Sequence, residues 1–195
     1  LNPEEMKPLG RECTKEEWME IAEQAKEAGL LFILLTGGEP MLQKDLFDFI
    51  KKVKEIGLLV KLDTNGSFPD KLKQAIDEKL VDYVAMDIKN NPNLYSETVG
   101  ISGSDLSKIN ESIAFLLEGK VDYEFRTTVV RELHSIFGID AIGKMIKGAK
   151  RHYIQAFRDS GELIGFDMNP VSKEEMEQMK SIMEKYVDYC EIRGI

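Results

Sequence analysis

Leu30-Leu31-Phe32-Ile33-Leu34-Leu35-Thr36-Gly37-Gly38-Glu39-Pro40 decides the fold class of this chain. An uninterrupted apolar run, Leu30 to Leu35, ends in a threonine, two glycines, an acid and a proline. Such a run predicts a parallel strand buried on both faces. The glycine pair predicts either a tight strand-to-helix turn or a backbone that lets a ligand come close.

Helix and strand signals alternate on both sides of this stretch. Upstream, Thr14-Lys15-Glu16-Glu17 has the pattern of a capping box. Trp18, Ile21, Ala22 and Ala25 then recur at helical spacing, and Gly29 ends the helix. Downstream, Leu46, Phe49, Ile50 and Val53 mark a helix ending at Gly57, and Leu58 to Leu62 reads as a strand. Pro69 opens a short helix at a position where its missing N–H costs nothing. Val81 to Ile88 is the next strand. Ser104 or Asp105 caps a helix with Ile109, Ile113, Leu116 and Leu117, ended by Gly119. Tyr123 to Val130 is a strand, and Ile139 to Ala149 a helix weakened by Gly143 and Gly148. Tyr153 to Phe157 is a strand. A second capping box, Ser172-Lys173-Glu174-Glu175, starts a helix with Met176, Met179, Ile182 and Met183 on its core face. Tyr186 to Ile192 reads as a last strand. Such alternation predicts right-handed crossovers and a parallel α/β sheet. The series opens on a helix, so a strand expected before it is missing. The expectation is one domain over residues 1–195, N-terminally truncated.

Composition narrows the function. The 195 residues carry a net charge of −9, with no basic block, which argues against nucleic acid. No apolar run suits a membrane span, and Leu1 to Gly10 is too polar for a signal peptide, so a cytoplasmic location is expected. Two cysteines, Cys13 and Cys190, make no disulfide framework. His134 and His152 lack metal-ligand spacing, and neither a Walker loop nor a dinucleotide fingerprint is present.

Ligands of parallel α/β proteins sit at the C-terminal ends of the strands. Unusual residues gather there: Gly37, Gly38 and Glu39; then Asp63, Thr64 and Asn65; then Asp87 and Lys89; then Arg126; then Gln155 and Arg158. Each charge alone also reads as a structural ion pair. Together they suit a zwitterionic ligand, with a bound cation as an option.

These residues also carry a resemblance. Leu35-Thr36-Gly37-Gly38-Glu39-Pro40 resembles the GGEP motif of radical S-adenosylmethionine (SAM) enzymes. Lys61 to Ser67, Asp82 to Lys89, Arg126 to Val130 and Tyr153 to Arg158 resemble the activating proteins of anaerobic ribonucleoside-triphosphate reductase, relatives of pyruvate formate-lyase activase. Leu1 to Leu34 is more similar to radical SAM maturases of another branch. The fold implied is an incomplete (β/α)6 partial barrel, a partial TIM barrel, lacking its first strand and carrying an extra C-terminal strand. The cofactors implied are SAM and a [4Fe–4S] cluster. The family holds that cluster with Cys-x3-Cys-x2-Cys, a motif absent from this sequence.

The resemblance implies that Gly37, Gly38 and Glu39 bind the methionine amino end of SAM, and it includes Asn65 in the cofactor site. It implies a monovalent cation on Asp63, Thr64 and Asp87. Lys89 and Arg126 match positions meeting SAM's carboxylate and ribose, and Arg158 replaces a histidine. The implied activity is that of an anaerobic oxidoreductase. Reductive cleavage of SAM gives a radical that takes hydrogen from a glycine of a glycyl radical enzyme. Flavodoxin or ferredoxin is the implied electron donor. Without the cysteine loop this chain alone is expected to be inactive. Two other readings stand beside it: a peptide maturase, and a non-catalytic protein that binds SAM or a partner.

Overall fold

A computed structural model describes residues 14–100, 106–158 and 168–195. Its described residues form six strands and seven α-helices. The strands are β1 (Phe32–Leu35), β2 (Leu59–Thr64), β3 (Tyr83–Asp87), β4 (Asp122–Val129), β5 (His152–Ala156) and β6 (Cys190–Arg193). The helices are α1 (Lys15–Glu27), α2 (Leu46–Glu55), α3 (Pro69–Asp77), α4 (Tyr95–Val99), α5 (Leu106–Leu117), α6 (Ile136–Met145) and α7 (Lys173–Met183). The predicted parallel α/β class is the one found. Two short elements were not predicted: α4, and a 3-10 turn over Pro40–Leu42.

Local chemistry accounts for the helix starts. Thr14 Oγ1 accepts from the Glu17 amide at 3.3 Å, and Glu17 returns a carboxylate oxygen to the Thr14 amide at 2.8 Å. Ser172 and Glu175 repeat this exchange at α7. Each reciprocal pair satisfies two amides that a helix start leaves bare. The cap expected at Ser104 or Asp105 lies outside the described residues, as does Cys13. The predicted helix 139–149 instead runs from Ile136 to Met145. Gly143 lies inside it because the Tyr186 ring occupies the space a Cβ would need, 2.3 Å from the nearest ring atom.

The strands lie in the order β1-β2-β3-β4-β5-β6, each parallel to the next. Right-handed crossovers in one direction place the helices on one face of the sheet. This is barrel-type winding, not the two-sided winding of a nucleotide-binding sheet. On that face Leu62, Val84, Met86, Phe125 and Ile154 meet Ile50, Leu72, Ile113, Leu116, Ile142 and Met176 in one core. Each fully buried side chain of this size contributes about 1.5–3 kcal/mol. The methionines of α7 are core, as predicted.

Among the described residues the other face is polar and lacks a helical cover. Lys61, Asp63, Tyr83, Asp87, Glu124 and Arg126 line it, joined by the hydrogen bonds and ion pairs described below.

The apolar run before Thr36 departs from its predicted burial. Leu30–Leu35 is not buried on both faces: Phe32 is 58% exposed and Leu34 45% exposed, and Leu30 and Leu31 precede the strand. Among the described residues β1 is an edge strand, and its Phe32 and Leu34 share the uncovered face with Leu59. An apolar run reads the same at a sheet's centre and at its edge, because only tertiary neighbours distinguish the two.

Candidate functional site

The site is built from turns at consecutive strand ends. After β1, Gly37 takes φ +135, a region that side chains avoid, and nothing approaches within 4 Å of where a Cβ would sit. Glu39 follows in extended geometry and its side chain caps the 3-10 turn by accepting from the Met41 amide at 3.1 Å. Pro40 opens that turn.

Glu39 is buried, and its carboxylate also accepts from the Asn65 amide at 2.7 Å and the Thr64 hydroxyl at 3.0 and 3.1 Å. It thus ties the β1 end to the β2 end. The Thr64 hydroxyl accepts from the Gly66 amide at 3.1 Å, and Asn65 Oδ1 from the Ser67 amide at 2.9 Å. Gly66 takes φ +76 beside Met86, whose Cε would lie 2.0 Å from an added Cβ. No larger residue fits this turn without moving a buried neighbour.

Asp63 precedes Thr64 and therefore points to the opposite, polar face. There Arg126 of β4 reaches both carboxylates. Nη1 lies 3.0 Å from Asp63 Oδ2, while Nε and Nη2 lie 2.9 Å from Asp87 Oδ1. Lys89 Nζ adds a bond of 2.9 Å to Asp87 Oδ2, and Thr36 Oγ1 one of 3.3 Å to Asp63 Oδ2. Burial works against the Arg126 charge, but Asp87 and Asp63 outweigh it and raise the guanidinium pKa further. Asp63 Oδ1 is buried and has no hydrogen-bond partner among the described residues.

The predicted residues thus fall into three groups. Asp63, Asp87, Lys89 and Arg126 meet in one network, with Gly37 and Gly38 joined to it through Thr36. Glu39, Thr64 and Asn65 form a second network that shapes the turns. The Thr64 hydroxyl is turned toward Glu39, so it does not join Asp63 and Asp87. Arg158 is apart: it donates to the Gly194 carbonyl at 3.0 and 3.2 Å, binding β5 to β6 at the far edge of the sheet. The described residues gather no group of three or more His, Cys, Asp or Glu that could hold a metal ion.

A deeper layer escaped sequence reasoning. Glu124, two residues before Arg126 on the same face, is 2% exposed. It accepts from the Tyr83 hydroxyl at 2.9 Å, Lys61 at 3.4 Å, and Arg193 at 3.2 and 3.3 Å. Burial alone would raise its pKa, but Tyr83, Arg193 and Lys61 hold it below the ordinary carboxylate value. The alternation Glu124, Arg126, Thr128 in β4 was the available signal.

The donor set is compatible with a zwitterionic ligand, the class to which SAM belongs. A buried Asp63 oxygen lacks a partner among the described residues, nothing lies within 4 Å of a Cβ built on Gly37 or Gly38, and Asp63, Asp87, Lys89 and Arg126 carry charges of both signs at the neighbouring strand ends. The described residues do not fit a [4Fe–4S] cluster. Their cysteine, Cys190, begins β6 at the end of the sheet opposite the site. Burial pushes its thiol pKa up to about 12, which leaves it protonated and unsuited to bind iron.

Comparison with known proteins supplies the family. A protein of Methanocaldococcus jannaschii, provisionally named as a glycyl-radical enzyme activating enzyme, is 36% identical over 169 residues, covering 84% of this chain and 70% of that protein. A PqqA peptide cyclase of Granulibacter bethesdensis is 30% identical over 114 residues, 55% of this chain but only 29% of its own length. Among solved structures, a domain of a pyruvate-formate lyase-activating enzyme from Bacteroides vulgatus superposes with a TM-score of 0.68 at 16% identity, covering 84% of this chain and 99% of that one. That likeness shows the fold, a radical SAM partial barrel. The model of the radical SAM superfamily matches residues 2–136, most of the chain, and the chain belongs to that superfamily.

Proposed function

We propose that this chain is the SAM-binding, substrate-orienting core of a glycyl-radical-enzyme activase. The observation that carries the reading is the Asp63–Arg126–Asp87–Lys89 network beside Gly37 and Gly38, with the free Asp63 oxygen within it. Lys89 and Arg126 meet the carboxylate and ribose of SAM, and the Gly37-Gly38 turn takes its amino end. Glu39 and Asn65 act indirectly, by fixing the turns. Asp63 and Asp87 hold Arg126 in place, and an added monovalent cation would sit on the same carboxylates. Bound SAM supplies the radical chemistry.

The thiolates for a cluster are not among these 195 residues, so no electron-transfer step is assigned to them. The chain by itself is accordingly a binding module without turnover. The donor for the assembled enzyme is a flavodoxin or ferredoxin, the setting cytoplasmic, and the partner a glycyl radical enzyme resembling anaerobic ribonucleotide reductase.

Calorimetric titration of the chain with SAM tests the reading. Wild type should bind, and Lys89→Met and Arg126→Met should bind at least about tenfold more weakly, the loss of one charged hydrogen bond each. A folded wild type that ignores SAM would sink the proposal. A second reading, peptide maturation, draws on the similarity to peptide cyclases. Crosslinking to a precursor peptide rather than to a glycyl radical enzyme would favour it.

A further inference from the structure

A buried polar clamp lies behind the strand ends, outside the ligand-facing network. Its centre is His134, in the loop that leaves β4, and it is 6% exposed. The Val130 amide donates to His134 Nδ1 at 3.1 Å, the Val130 carbonyl lies 3.3 Å from the same nitrogen, and His134 Nε2 lies 2.9 Å from the Lys89 carbonyl. The neutral tautomer with Nδ1 bare and Nε2 protonated satisfies the two shorter contacts, the Val130 amide donating to Nδ1 and Nε2 donating to Lys89. Asn90, fully buried, adds a parallel link. Its Nδ2 donates to the Leu133 carbonyl at 2.8 Å and to Thr98 Oγ1 at 2.9 Å, while its Oδ1 accepts from the Asn91 amide at 2.7 Å. Two side chains thus join the β3-end loop to the β4-end loop, one through the backbone of Lys89.

We infer that His134 is a positioning residue: its hydrogen bond to the Lys89 carbonyl sets where the Lys89 amine stands beside Asp87. The inference rests on the proposed role of Lys89 toward SAM. Two facts support it. Lys89 is 44% exposed at its side chain and makes one ion pair, so its own contacts hold it weakly. Its backbone, by contrast, is fixed from a buried group on another strand's loop. The amine therefore gets its position from the carbonyl side.

Two conservative variants separate positioning from general structure. In His134→Asn the amide oxygen can replace Nδ1 and accept from Val130, but the chain is too short to reach Lys89. In His134→Gln the amide nitrogen can replace Nε2 and donate to Lys89. The carbonyl carbon shift of Lys89 and amide exchange over Ile88–Asn91 would be read by NMR, and SAM affinity by calorimetry. The Gln variant should keep the wild-type carbonyl shift and an affinity within about twofold. The Asn variant should lose the shift and bind SAM about tenfold more weakly, the weight of one misplaced ionic contact.

Equal effects in both variants would make His134 merely structural and overturn the inference. So would a moved carbonyl with unchanged affinity. A folded wild type that binds no SAM counts against the proposed function. In that case the positioning role is read on the Lys89 amine itself: an Nζ chemical shift unchanged in the Asn variant overturns it, and one moved in the Asn variant but kept in the Gln variant upholds it.

Discussion

Arg126 Nη1 lies 3.0 Å from Asp63 Oδ2, although the two residues stand on strands that are not neighbours. The guanidinium spans β3 to reach β2, and engages Asp87 of β3 on the way. Arg126→Met should leave Asp63 without its cation and Asp87 with Lys89 alone. A loss of about 2–4 kcal/mol is expected, reduced from the fully buried case because Asp87 is partly solvated. Urea unfolding at pH 7 checks it. In a double-mutant cycle Asp63→Asn should cost much less in the Arg126→Met background.

Glu39 should behave as a scaffold residue. Glu39→Ala strands the Asn65 and Met41 amides without an acceptor and should destabilise by about 2–3 kcal/mol. Glu39→Gln keeps one acceptor oxygen and should lose about half of that. Thermal unfolding distinguishes the two. A direct ligand contact would predict affinity loss in both variants without a stability difference.

Acid should weaken the fold through histidine before most carboxylates titrate. The chain's two histidines are both buried. Burial pushes the His152 pKa down to about 3 and lowers that of His134. Unfolded histidine protonates near 6.5, so below that pH the unfolded state binds more protons and stability falls as pH drops. The window for His152 runs from about 6.5 down to about 3. The slope is at most about 1.4 kcal/mol per pH unit for each histidine. Denaturation midpoints between pH 7 and 5 should show this, and His152→Gln should remove its share.

At Gly66, alanine should cost about 2–3 kcal/mol, from the left-handed backbone and the displaced Met86 methyl. Met86→Leu shortens the obstructing side chain, so Gly66→Ala should cost measurably less in that background. Equal costs would mean that backbone strain alone decides.

Phe32 and Leu34, exposed and apolar on β1, and Leu31 just before it should drive concentration-dependent association. Leu31→Lys with Phe32→Lys should raise the concentration at which light scattering appears. It should change stability by under about 0.5 kcal/mol, as expected of exposed positions.

The legible part of the fold was local. The Thr14 and Ser172 capping boxes act within three residues, and the strand-to-helix turns carry their own glycines and prolines. The strand-end residues were legible because topology places such ends together, and Asp63, Asp87, Lys89 and Arg126 do meet. What stayed hidden depends on partners distant in sequence. Glu124 is held by Lys61, Tyr83 and Arg193, and His134 by Lys89, and no spacing rule links those positions. The exposure of Phe32 is of the same kind, since it depends on what lies beside β1. The 3-10 turn after Glu39 was missed although Pro40 marks its first position, because a single turn leaves no periodicity to read.

The strand order has a mechanical meaning. Because β1 to β6 follow one another without interleaving, the sheet is a row and not a weave. A row can be severed between any two of its units, and each piece keeps its own strand, helix and half of the severed seam. Two polypeptides split in this way need only dock side by side to restore it, with no rethreading. The Arg126 bridge, which skips one strand, is what would make such a seam through β3 cooperative.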